Sequence, residues 1–148
     1  MNKGHPILCL DFDGVIHSYT SGWQGAGICA DPPVEGTAEF LREAITRFRI
    51  AIYSSRSKSL AGRRAMKRYM REHFNTPADP VFSRMWINHP EDHDLPIERP
   101  KMLWEVIEWP WFKPSAFLTI DDRALTFNGS WDIFNPDVLR EFKPWNKP

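Results

Sequence analysis

The sequence of 148 residues lacks most of what would commit a chain to a membrane, a disulfide scaffold or a polyanion. No apolar run approaches the roughly 20 residues that cross a bilayer. The segment ahead of the first apolar run carries a single lysine, Lys3, too little for a signal peptide, so a cytoplasmic protein is expected. Only two cysteines occur, Cys9 and Cys29, without metal-ligand spacing. Cys9 lies inside an apolar run and reads as a packed, reduced thiol. Lysine plus arginine equals aspartate plus glutamate at 19 each, which gives no global pull toward nucleic acid or an anionic surface. Repeats and low-complexity tracts are absent. What remains is one domain, residues 1–148, long enough to bury roughly 70% of the surface its unfolded chain exposes.

The patterning that is present alternates between strand and helix. ILCL runs apolar into Asp11 at residues 7–11, as a strand covered on both faces would. Residues 15–35, rich in Gly, Pro and Ser, read as a flap or hairpin excursion. Helical spacing follows over 37–48, with Phe40, Leu41, Ala44, Ile45 and Phe48 apolar. RIAIY at 49–53 is a second buried strand. Residues 59–74 form a basic helix whose inner side holds Leu60, Ala61, Ala65, Tyr69 and Met70. A third strand is expected at 81–87, a proline-broken loop at 88–100, a short helix at 101–109 and a last strand at 116–120. This alternation predicts an α/β fold, a Rossmann-like three-layer sandwich with a mainly parallel central sheet. Ligands of such sheets gather at the carboxyl ends of the strands.

Three of those strand ends carry polar groups. The first ends in Asp11 and Asp13, the second in Ser54, Ser55 and Arg56, the last in Asp121, Asp122 and Arg123. Asp11 and Asp13 would share one face of an extended chain, because the period of a strand is two. Like charges so placed need a cation or a shared proton. Four carboxylates beside hydroxyls and arginines suit an oxygen-ligated hard cation next to a phosphate. A calcium loop is the bland reading of DFDG, but Ile16 and Gly22 stand where that loop needs glycine and glutamate.

DFDGV, the strand ending in Ser54, a lysine near 101 and IDDRA occur in the order of the four motifs of the haloacid dehalogenase-like (HAD) phosphohydrolases. The chain resembles that family over nearly its whole length, and the SSR and DDR runs are most similar to polynucleotide 3′-phosphatase domains. The resemblance implies an aspartyl-phosphate mechanism with Asp11 as nucleophile and Asp13 as general acid and base. It implies Mg²⁺ held by Asp11, the Asp13 carbonyl and Asp122, with Asp121 beside Asp122 as a further candidate ligand. Ser54 and Lys101 would stabilise the transferring phosphoryl group, with Ser55 and Arg56 also binding substrate. Lys101 is preferred over Lys113, which sits just ahead of the last strand. The excursion is too short for a full cap domain, so the site should be open.

The expected activity is Mg²⁺-dependent phosphomonoester hydrolysis, on a nucleotide or polynucleotide terminal phosphate or else a small metabolite such as a sugar phosphate. Arg56, Lys58, Arg63, Arg64, Lys67, Arg68 and Arg71 occur without an intervening acid, either as a solvated helix face or as a track for a phosphate backbone. Trp23 could stack on a base or pack the flap. His89 and His93 read as loop residues rather than a metal pair. A phospho-receiver domain would also carry an acidic rim, but its acceptor would end a middle strand, and the third-strand candidate ends in Ile87 and Asn88. A catalytically silent interaction domain is disfavoured by the intact set of acids.

Overall fold

The computed structural model describes residues 4–79 and 100–148. Its centre is a parallel sheet of three strands in the order β2-β1-β3, with β1 at Ile7–Leu10, β2 at Arg49–Ile52 and β3 at Leu118–Ile120. Helix α1, Thr37–Ala44, connects β1 to β2, and helix α2, Leu60–His73, follows β2. The described residues thus form an α/β arrangement with a parallel sheet, as the alternation predicts. No helix among them is long and apolar enough to cross a membrane.

Successive residues of a strand point to opposite faces. Leu8, Cys9 and Leu10 are all buried, as are Ile50, Ala51 and Ile52, so β1 and β2 are covered on both sides. Leu41 of α1, Met66, Tyr69 and Met70 of α2, and Phe12, Ile16, Phe74 and Leu103 complete the core. β3 differs: Leu118 is 54% exposed and Ile120 38% exposed, which makes it an edge strand among the described residues rather than a buried one.

Several expectations need correction. Residues 101–109 are not a helix. A single 3-10 turn, Leu103–Glu105, gives way to an extended segment in which Glu108 pairs in parallel with Ala51. Glu108 N–H donates to the Ile50 carbonyl and its own carbonyl accepts from Ile52 N–H, while Arg49 clamps the Glu108 carboxylate with two hydrogen bonds of 2.7 and 2.8 Å. Past Val106, which still has helical backbone, the β-branched Ile107 and the approaching Trp109–Pro110 bond favour that extended course, because a residue before proline is pushed out of the α region. In α2, Leu60 and Ala61 face solvent, and Gly62, Arg63 and Met66 lie inside with Ala65, Tyr69 and Met70. A short helix α3, Pro136–Arg140, was not anticipated; Asn135 caps it and proline opens it. The strand expected at 81–87, most of the loop at 88–100 and the pair His89 and His93 lie outside the described residues.

Gly62 explains why α2 packs so closely on the turn before it. Ser54 caps the 3-10 turn Ser55–Lys58, Ser59 caps α2, and the backbone of Arg56 passes directly against Gly62. A Cβ at Gly62 would collide with the Arg56 carbonyl. Helix propensity favours alanine over glycine by about 1 kcal/mol. Gly62→Ala is nevertheless expected to lower the melting temperature, because the turn carrying Arg56 must shift. A melting temperature at or above wild type would show that the turn yields without cost.

Candidate functional site

The strand register builds the site. Leu10 stands opposite Ile52 on one side and Ile120 on the other, so the residues that follow, Asp11, Tyr53 and Asp121, reach one rim. The hydrogen-bond ladder continues up to them, with Asp11 N–H donating to the Ile120 carbonyl at 3.0 Å and Tyr53 N–H to the Leu10 carbonyl at 3.1 Å. Asp11, Asp121 and Asp122 each offer an oxygen within 4.8 Å of the others. Asp121 is exposed and Asp11 half-buried, while the Asp122 side chain is only 2% exposed. Both Asp122 oxygens are buried without a hydrogen-bond partner, and Arg123 Nε lies 3.9 Å away. Gly14, at φ 82°, lets bare backbone pass the Asp122 carboxylate, which a Cβ would strike. A carboxylate with two unsatisfied buried oxygens, next to two more carboxylates, fits a hard divalent cation.

Asp13 does not join that cluster through its side chain. It is turned aside, accepting from Arg56 Nε on Oδ2 at 2.8 Å and lying 2.8 Å from His17 Nδ1 on Oδ1. The two acids consequently have opposite proton preferences. Burial pushes the Asp11 carboxyl up to about 7; the hydrogen bond from Phe12 N–H opposes this, and the charges of Asp121, Asp122 and Asp13 add to it. Asp122 is raised as well, chiefly by burial. For Asp13 burial also acts upward, but the hydrogen bonds from His17 and Arg56 together outweigh it and hold the carboxyl below its ordinary value.

A cleft of about 340 Å³ opens over this rim. Asp11, Asp13, Ser54, Ser55 and Asp121, five of the candidate site residues, line it together with Trp23. Tyr19, Tyr53 and Arg123 line it too and were not foreseen as site residues. Ser54 is both the cap of the 3-10 turn and a wall of the cleft: its Oγ accepts from Arg56 N–H at 3.4 Å. Arg56 is buried beneath the cleft rather than facing it, with Nη1 donating to the carbonyls of Gly25 and Ala26 in the flap. Lys101 is not among the residues lining this cleft. It borders a second one, about 920 Å³, with Arg64, Lys67, Arg68, Arg71, Trp104 and Trp109.

Sequence reasoning also missed what surrounds Asp13. His17 is 1% exposed and Asp31 8% exposed, and the two link the first loop to the far end of the flap. The i, i+4 spacing of Asp13 and His17 was the available signal. The C-terminal residues had none: Trp145 Nε1 donates to the Gly14 carbonyl, Asn146 Nδ2 to Ser18 and Lys147 Nζ to Tyr19, so the tail holds the loop that leads out of β1. No family model, no curated protein and no solved structure matches the chain.

The carboxyl shifts fix a direction for stability against pH. Asp11 is raised from 3.8 to about 7, so its contribution is fully present below its unfolded value and is lost as pH climbs through 7. Asp122 acts in the same sense, and Asp13, being lowered, acts only at more acid pH. Metal-free protein should therefore lose a few degrees of melting temperature between about pH 5 and pH 7.5. Mg²⁺ should raise the melting temperature more at the higher pH, and Asp11→Asn should flatten the trend. A profile that is flat in wild type, with no pH-dependent gain from Mg²⁺, would refute the cation site.

Proposed function

We propose that the chain is a Mg²⁺-dependent phosphomonoester hydrolase of HAD-like architecture, a Rossmann-like sandwich without a full cap, acting through an aspartyl-phosphate on Asp11. The observation that carries this reading is the pairing of Asp11, at the mouth of the cleft, with the unsatisfied carboxylate of Asp122 behind it. A Mg²⁺ ion bound by Asp11, Asp121 and Asp122 would supply positive charge that keeps Asp11 ionised and offsets its repulsion of a phosphate dianion.

In the first step an Asp11 carboxylate oxygen attacks phosphorus in line, the bond to the ester oxygen breaks with its electron pair going to that oxygen, and the leaving group departs as an oxyanion that solvent protonates. Ser54 accepts from Arg56 N–H and keeps its own O–H to donate to a phosphoryl oxygen, and Arg123 presents the cation that lines the cleft. In the second step Asp13 takes a proton from water as that water attacks the acyl phosphate, releasing inorganic phosphate and regenerating Asp11. Asp13 is held as a carboxylate by His17 and Arg56, which favours this base half of its expected role over protonation of the leaving oxygen. Leaving groups that depart as stable anions should suit the site best. A cytoplasmic setting fits the two free thiols, Cys9 buried and Cys29 partly so.

Within that reading, a nucleotide or nucleic-acid terminal phosphate is the substrate class best supported. Tyr19, Trp23 and Tyr53 put three aromatic rings around the cleft, surfaces on which a base can stack. Arg56 and Arg63 are buried and bound to carbonyl groups, which removes them from any track for a phosphate backbone. Lys58, Arg64, Lys67, Arg68 and Arg71 remain exposed, and Lys67 and Arg71 stand 5.9 and 5.7 Å over the rings of Trp109 and Trp104.

The decisive assay is hydrolysis of phosphomonoesters with and without Mg²⁺, across nucleotides, sugar phosphates, aryl phosphates and 3′- or 5′-phosphorylated oligonucleotides. Activity should vanish with chelator, and Asp11→Asn should lose more than about a thousandfold in turnover, the scale on which removing a nucleophile acts. Wild-type turnover by Asp11→Asn would sink the mechanism. Salt separates the substrate classes: each backbone phosphate neutralised on a single strand contributes a slope of about −0.7 in log affinity against log salt. Oligonucleotide hydrolysis should therefore fall steeply with salt while an aryl phosphate changes little. Equal slopes would assign the α2 cations to solvated surface and favour a small metabolite.

A further inference from the structure

His17, 1% exposed, is almost wholly enclosed beside the cleft, and the proposed chemistry uses it so far only as one of two partners that hold Asp13 as a carboxylate. Its ring stacks on Phe12 at 5.6 Å between centroids and meets the edge of Tyr69 at 5.3 Å. Its two nitrogens face unlike partners. Nε2 lies 3.0 Å from the backbone nitrogen of Asp31, which can only donate, so Nε2 must be the bare, accepting nitrogen. The Asp31 carboxylate is 3.7 Å from Nε2, too far to compete for that position as a hydrogen-bond acceptor. The ring proton therefore resides on Nδ1 and is donated to Asp13 Oδ1 at 2.8 Å. Asp31 is itself fixed, its carboxylate by the backbone and hydroxyl of Ser21 and its carbonyl by the Tyr69 hydroxyl from α2.

We propose that His17 is a positioning residue: held by the Asp31 backbone, its Nδ1–H orients the Asp13 carboxylate for removal of a proton from water. Arg56 grips the opposite oxygen of Asp13 from the end of β2. The two donors together fix the carboxylate plane, and His17 is the one that ties that plane to the flap. The proposal rests on the phosphatase reading for its kinetic consequence, while the ring geometry stands apart from it.

The test pairs three substitutions with a rapid-quench assay on an aryl phosphate and Mg²⁺, which separates phenol release from hydrolysis of phospho-Asp11. An asparagine amide can take the place of Nδ1–H, whereas a glutamine amide reaches the Nε2 position and misses Asp13. His17→Ala and His17→Gln should slow phospho-enzyme hydrolysis about tenfold, the loss expected for one hydrogen bond to a charged group, and leave phenol release within about twofold. His17→Asn should restore hydrolysis to within about threefold of wild type. If His17→Ala does not fold, the Asn and Gln pair decides alone. Equal rates for Asn and Gln, or equal loss in both steps, would reduce His17 to packing and overturn the proposal. Nitrogen NMR of the wild-type ring adds a readout independent of activity: an Nε2–H tautomer overturns it too. Absence of any phosphomonoester turnover by wild type would instead strike the phosphatase reading, with the tautomer still deciding the geometry of His17.

Discussion

Three carboxylates at one sheet rim repel one another, and the surrounding structure is arranged to contain that repulsion. With oxygens within 4.8 Å, each fully ionised pair costs roughly 3 kcal/mol at an effective dielectric near 20. Three such pairs approach the entire stability of an ordinary domain. The chain cannot carry all three charges at neutral pH without a cation or a proton, and the repulsion adds to burial, the larger cause, in moving the Asp11 carboxyl to about 7. The arrangement is forced by topology. Leu10 is flanked by Ile52 and Ile120, and no rotamer of the residues that follow can take Asp11 and Asp121 to opposite ends of the sheet. Gly14 then allows backbone, rather than a side chain, to close over Asp122 and exclude water from its oxygens.

Asp13 escapes the cluster by facing the other way. Two residues beyond Asp11, it meets a guanidinium and an imidazole instead of carboxylates, and its proton preference reverses. Separated preferences of this kind let neighbouring acids take different roles in one reaction. Arg56 makes the separation possible at a structural level. It is 1% exposed, and its charge is met by Asp13 and by two flap carbonyls, so one buried cation ties the end of β2 to both the β1 loop and the excursion.

The three strands among the described residues were legible because short apolar runs bounded by polar residues have few alternatives, and their ends could be placed on one rim from the parallel rule alone. The acid cluster followed from that placement. What escaped the sequence depended on partners distant in the chain. Residues 101–109 carry a helical pattern of Met102, Leu103, Val106 and Ile107, yet Arg49 and the open edge of β2 draw Glu108 into the sheet, a tertiary contact that outweighs local periodicity. Arg56 and Arg63 looked like part of a continuous basic face; burial against backbone carbonyls 30 and 46 residues away removes them from it. Lys101 matched a motif by order alone, and order does not say which side of α2 a side chain will border.

The flap is the part of the site with the least structure of its own. Residues 15–35 contain no helix or strand, only isolated bridges such as His17 with Pro33. Its position is imposed from outside by Arg56 at Gly25 and Ala26, by Tyr69 at Asp31 and by the C-terminal tail at Gly14, Ser18 and Tyr19. Arg123 and Lys147 both stand over the Tyr19 ring, at 6.0 and 4.9 Å. The Arg56 guanidinium stands 4.8 Å over the Trp23 ring, so Tyr19 and Trp23 become walls of the cleft through cations from the segments that follow β2 and β3 and from the tail. A loop held by so many separate anchors keeps its place without secondary structure of its own, and the Asp13 carboxylate just ahead of it is set by its two donors, Arg56 and His17, rather than by the loop.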